Sequence, residues 1–109
     1  MIDKFEKISS QMRKGILEYV ILMIIGSWEV YSSDILKILK YNNLIVVEGT
    51  LYPLLSRLRK DNIITYYWVE SLSWPPRKYF KLTKEGKELL KTMWLIWKDL
   101  YWAVNNISK

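Results

Sequence analysis

In the stretch EGTLYPLLSRLRK, Glu48 to Lys60, four leucines (Leu51, Leu54, Leu55 and Leu58) recur at i, i+3, i+4 and i+7. That spacing places them on one stripe of an α-helix, and the stripe demands a body to cover it. A strand would scatter the same residues over both its faces. Thr50 fits as the N-cap, which predicts Pro53 in the first turn, where its missing N–H would have had no partner. Asn62, after Asp61, fits a left-handed stop. Opposite the leucines stand Tyr52, Ser56 and Lys60, with Pro53 and Arg57 beside them and Arg59 on the flank. The segment is therefore predicted to be anchored on one side and to carry hydroxyls and cations on the other.

The flanking segments supply that body. Phe5 to Ile25 reads as one first helix, ended by Gly26 in the left-handed conformation that glycine adopts cheaply. Its apolar run ILEYVILMII, Ile16 to Ile25, is ten residues long and includes Glu18. A bilayer span needs about 20 apolar residues, so the run predicts a buried helix. Ser32-Ser33-Asp34 offer N-caps for a second helix carrying Ile35, Leu36, Ile38 and Leu39, which Asn42-Asn43 end. The segments IITYYWVE (Ile63 to Glu70) and RKYFKL (Arg77 to Leu82) are rich in β-branched and aromatic residues. With SLSWPP between them they read as a hairpin. Thr83 caps a last helix reaching Ile107, with Glu85 near its positive end. The order is helix, helix, helix, hairpin, helix.

Composition narrows the function classes. The net charge of +6 comes from 17 cations against 11 carboxylates, which favours anionic partners. The absence of cysteine rules out disulfides and thiolate metal sites, and the absence of histidine removes the commonest general base and metal ligand. No P-loop or dinucleotide fingerprint occurs, so an enzyme is the weakest reading and no cofactor is expected. No apolar signal core precedes the run from Ile16 to Ile25, and a cysteine-free chain suits a reducing cytoplasm.

The major groove of duplex DNA admits one α-helix between walls of phosphate. A helix with small polar residues near its N-terminus and cations along the same side fits that space. Arg77 and Lys78, after a rigid Pro75-Pro76 turn, are expected to project from the hairpin tip as a second contact. GTLYPLLSRLRKDN (Gly49 to Asn62) and PPRKYFKLTKEGKELL (Pro75 to Leu90), with Gly86 at this spacing and the apolar first helix, resemble the PadR family of bacterial winged-helix regulators in its short form. After the position of Tyr31, where members usually have glycine and often tyrosine, this chain has Ser32 and Ser33.

The resemblance implies a mainly α fold with a β-hairpin wing: a winged helix-turn-helix DNA-binding domain over residues 1–83, with residues 84–109 a C-terminal dimerisation helix integral to it. It implies a homodimeric repressor on a pseudo-palindromic operator, with the helix from Thr50 as recognition helix and Ile63–Leu82 as wing. The expected DNA contacts are Thr50, Tyr52, Pro53, Ser56, Arg57, Lys60, Arg77 and Lys78. In some members a small, often aromatic, molecule releases the DNA. The alternative is a winged-helix module that binds proteins, which salt would distinguish, because only phosphate contacts release counterions.

Along the last helix Leu89, Met93, Ile96, Trp97, Leu100, Val104 and Ile107 share one face, in steps resembling a coiled-coil seam. Packing within the subunit accounts for such a stripe. Trp94 and Tyr101 beside it, and Leu95 and Trp102 on the opposite side, exceed what one body covers. Self-association as a twofold dimer follows, with the seven stripe residues as its dimerisation set. Trp97 aligns with a position where some members sandwich flat aromatic ligands, so Trp97 and Trp94 are candidate ligand residues. Filling of the interface is the competing role for Trp97.

Overall fold

The computed structural model describes residues 3–70 and 75–108. Five helices and three short strands follow one another: α1 (Lys4–Arg13), α2 (Leu17–Ser27), β1 (Val30–Tyr31), α3 (Ser32–Tyr41), α4 (Glu48–Lys60), β2 (Ile64–Val69), β3 (Arg77–Leu82) and α5 (Lys84–Ile107). Of the predicted SLSWPP connection, residues 71–74 lie outside the described part.

The first predicted helix is two helices. Asp3 caps α1 by accepting from the Glu6 amide at 2.8 Å, and the helix stops at Arg13, just before Gly15. Glycine is the least favourable interior residue after proline, and α1 buries no side chain that would hold it in line with α2. The break leaves Glu18 in the first turn of α2, where the helix dipole favours a carboxylate. Gly26 does not end α2 in the left-handed region, because no described glycine has a positive φ. It lies inside the helix, where an added Cβ would meet Leu82 Cδ1 at 2.9 Å and Leu90 Cδ2 at 3.0 Å. Close packing against β3 and α5 is the reason for a small residue there.

The start of α3 also differs in detail. Ser32 is its first residue, and Asp34 accepts from the Tyr31 amide at 3.3 Å. Both asparagine stops behave as predicted. Asn43 (φ 60°) and Asn62 (φ 61°) adopt the left-handed conformation. After α4, the Asn62 amide donates to the Arg59 carbonyl at 3.0 Å and the Ile63 amide to Leu58 at 2.9 Å. After α3, Asn43 donates to Lys40 at 3.0 Å and Leu44 to Leu39 at 2.8 Å. Each pair of bonds closes the helix end in the Schellman manner, and Leu44 and Ile63 then pack against the core.

The sheet is antiparallel in the order β1-β3-β2, with Val30 opposite Phe80 and Ile64 opposite Leu82. Strand β1 is too short to leave a sequence signal and exists because β3 offers it an edge. Val30, Ile64, Phe80 and Leu82 join Ile21, Leu22, Ile25, Ile35, Leu39, Leu51, Leu55 and Leu58 in a single core. Full burial of each large aliphatic side chain contributes about 1.5–3 kcal/mol.

Helix α5 begins as predicted. The Thr83 hydroxyl accepts from the Gly86 amide at 2.9 Å, and Thr83 N donates to the Ile63 carbonyl at 3.1 Å. A Cβ on Gly86 would stand 2.0 Å from that carbonyl oxygen, so only glycine lets the first turn lie over the base of the wing. The reading of α5 as core packing holds only at its beginning. Leu89 and Met93 rest on the core, whereas Ile96, Trp97, Leu100, Val104 and Ile107 are exposed in the single chain, Val104 by 64% and Ile107 by 82%. The helix runs past the body: 24 residues span about 36 Å. The radius of gyration of 15.8 Å accordingly exceeds the roughly 13 Å of a compact chain this long.

Candidate nucleic-acid interface

In α4 the leucine stripe faces inward as predicted: Leu51, Leu55 and Leu58 are buried and Leu54 packs against the core. The helix begins two residues before the predicted cap, at Glu48, with Val47 as N-cap and no side-chain cap. The Leu51 amide donates to the Val47 carbonyl at 3.1 Å, so Thr50 lies within the first turn and Pro53 in the second. Extended backbone at Val47 starts the helix, and the polar first turn faces solvent.

Thr50, Tyr52, Pro53, Ser56, Arg57, Arg59 and Lys60 are all exposed. Tyr52, Ser56 and Arg59 form one wall of a cleft of about 380 Å³ between α4 and the sheet, with Ser32, Tyr66, Lys78 and Phe80 opposite. Two cations converge on one ring there. The Arg59 guanidinium carbon lies 4.2 Å from the Tyr66 ring centre and Lys78 Nζ lies 4.6 Å from it. Such contacts contribute about 0.5–1 kcal/mol each when exposed. They tie the helix to the wing and line the cleft with positive charge.

Arg77 and Lys78 do not project together from a tip. Neighbours in a strand point to opposite faces, and β3 begins at Arg77. Half-buried Lys78 shares the core-side face with Phe80, while Arg77 lies over Tyr31 on the outer face, 4.9 Å from the ring centre. Tyr31, Tyr79 and Tyr67 stand directly opposite one another across the three strands, with neighbouring ring centres 6.1 Å apart. Tyr67 donates to Glu29, a bond that raises the phenol's pKa above its ordinary value.

Arg57 is engaged within the chain. Its guanidinium bonds the Glu18 carboxylate and lies 3.6 Å from Asp61 one turn on. The Glu18 hydrogen bond, then its charge, raises the guanidinium pKa above its ordinary value. The cleft residues Ser32, Arg59 and Tyr66 were not among the predicted contacts. Alternation along β2 puts Tyr66 on the face of Ile64, a signal present in the sequence, but its distance from Arg59 is a tertiary fact.

Trp97 and Trp94 are separated. Trp97 closes an apolar groove of about 530 Å³ with Phe5, Ile8, Met12, Ile16 and Leu44, whereas Trp94 lies outside it beneath Lys98, 5.3 Å from its ring centre. Among the described residues no helix is long and apolar enough to cross a membrane.

A buried leucine stripe, a polar outer face, a hairpin and a capped final helix at these spacings match a known sequence family. The model of the transcriptional regulator PadR-like family matches residues 21–92. The chain belongs to this family. Its members are DNA-binding transcription regulators and not enzymes, and this PadR-like regulator shares their winged-helix fold. A PadR-like transcription factor from Bacteroides fragilis is 51% identical, with 94% of this chain and 99% of that one covered at a TM-score of 0.76. A PadR-like regulator from Bacillus cereus is 39% identical, with 90% and 96% covered at a TM-score of 0.81. Bacillus subtilis PadR, solved in complex with operator DNA, is 27% identical, with 74% of this chain and 47% of that one covered at a TM-score of 0.65.

Proposed function

We propose that this PadR-like regulator is a homodimeric repressor that binds a pseudo-palindromic operator in the cytoplasm. Helix α4 reads the major groove and the β2–β3 wing holds the flanking backbone. The observation that carries this reading is the division of α4, whose leucines pack into the core while Tyr52, Ser56, Arg57 and Lys60 all reach solvent. The relative solved with operator DNA supports it. Residues 1–83 act as the DNA-binding part and 84–109 as the dimerisation helix. Two copies bring a charge of +12, twice +6, and two recognition helices, which side-by-side binding sets about 34 Å apart.

Within this reading Thr50, Tyr52, Pro53, Ser56 and Arg57 approach base edges, while Lys60, Arg77 and Lys78 meet phosphate. The test is fluorescence anisotropy on a duplex selected by the protein from a random pool, against a random-sequence duplex of equal length. Affinity is expected to fall steeply with salt. Arg77→Ala should weaken both duplexes similarly and lower the salt slope by about 1, while Ser56→Ala should cost about 1–3 kcal/mol on the selected duplex alone. Salt-independent binding, or equal losses from both substitutions on both duplexes, would refute the assignment.

A small planar aromatic molecule is the inducer class that the Trp97 groove suits, since Phe5, Ile8 and Met12 supply an apolar floor beside the indole. The competing occupant is the partner's own α5. Titration of the dimer with planar cationic dyes separates them: Trp97→Ala that stays dimeric and binds dye unchanged excludes stacking on Trp97.

A further inference from the structure

Resting on the DNA-binding reading above, we infer that Glu18 is a specificity-determining residue: it occupies the Arg57 guanidinium as an internal substitute for phosphate, so that Arg57 is withheld from indiscriminate backbone contact. Three observations converge. Arg57 lies on the exposed face of α4, with a side chain 54% accessible, and its guanidinium bonds the Glu18 carboxylate. Glu18 comes from a different helix, 39 residues earlier, and is the more covered partner at 31%. It stands in the first turn of α2, where the break after α1 has placed it and where the helix dipole holds a carboxylate. Asp61, one turn beyond Arg57, adds a second negative charge at 3.6 Å.

A DNA phosphate reaching Arg57 must displace Glu18 and then tolerate that carboxylate beside it. An exposed ion pair is weak, so the restraint is modest. A base edge is neutral and accepts from the remaining N–H groups of Arg57 while Glu18 stays bound, so a matched site avoids the restraint. Random sequence offers Arg57 only phosphate and therefore loses more. Glu18 thus widens the gap between operator and random DNA by weakening the latter, which is selection through repulsion from the wrong partner.

The test compares Glu18→Gln, Glu18→Asp and the remote carboxylate variant Glu88→Gln, each with and without Arg57→Ala, on the selected and random duplexes described above. Glu18→Gln should bind random duplex about two- to fivefold more tightly, with a smaller gain on the selected duplex. Its salt slope should be steeper by up to about 1. Glu18→Asp keeps the charge but shortens the reach, so it should move in the same direction. In the Arg57→Ala background the excess over Glu88→Gln should vanish. Overturning results are a Glu18→Gln gain no larger than that of Glu88→Gln, an equal gain on both duplexes, or a gain that persists without Arg57. Failure of the wild-type chain to bind any duplex would instead sink the parent reading.

Discussion

In α4 an apolar stripe of three- and four-residue steps is covered by the chain's own core, with Leu51 wholly buried. In α5 an equally regular stripe is covered at Leu89 and Met93 and then left open from Ile96 to Ile107. Both helices are amphipathic, and both state in sequence which face seeks burial. The difference is geometric. Thirteen residues of α4 lie across the body, whereas α5 has 24 and extends beyond it. A periodic pattern therefore identifies a face to be buried without identifying what buries it. The unpaired half of α5 is what a second copy of the chain is proposed to cover.

The contrast can be broken most directly at equivalent positions. Leu51→Ala should lower unfolding stability by about 2–5 kcal/mol in urea titration, at any protein concentration. Val104→Ala should instead cost more at concentrations that favour the dimer and fall within about 0.5 kcal/mol in isolated subunits. A concentration-independent loss at Val104 would mean that the distal seam is not covered by a second copy. Next, Leu100→Glu should halve the mass seen in sedimentation while the helical circular dichroism persists; an unchanged mass would leave that half of α5 without a role in assembly.

Smaller effects sharpen the junction between the two regions. Gly86→Ala forces a methyl group toward the Ile63 carbonyl and should cost about 1–3 kcal/mol by thermal unfolding. Gly15→Ala, with open space around its Cβ, should not destabilise the chain, because nothing there is close enough to clash. Asn62→Ala should lose about 1 kcal/mol, since alanine tolerates the left-handed conformation less well than asparagine. If Gly86 and Gly15 proved equally tolerant, the close approach at the base of the wing would not be what seats α5.

Local signals were legible where one short segment contains both the cause and the effect. The leucine stripe of α4, the asparagine stops at Asn43 and Asn62, strand β3 and the Thr83 cap all follow from neighbours within a few residues. Reading failed where a partner from elsewhere decides. Gly26 looks like a helix stop until Leu82 and Leu90 are seen against it. Thr50 looks like a cap until the backbone at Val47 starts the helix earlier. Strand β1 has two residues, too few for an alternating pattern to announce it. Of the interface, the exposed side of α4 was legible, but Arg59 and Lys78 meeting over Tyr66 was not.

What the order of residues determined alone was periodicity, punctuation and charge: which faces are apolar, where helices stop, and that the chain carries a surplus of cations. These are properties of the backbone and its near neighbours, which act over one or two turns. Only the tertiary structure decided that Glu18 reaches Arg57, that Arg59 and Lys78 meet over Tyr66, and that α5 outruns the core. Those outcomes depend on distances between segments far apart in the chain, and these exist only once the elements have packed.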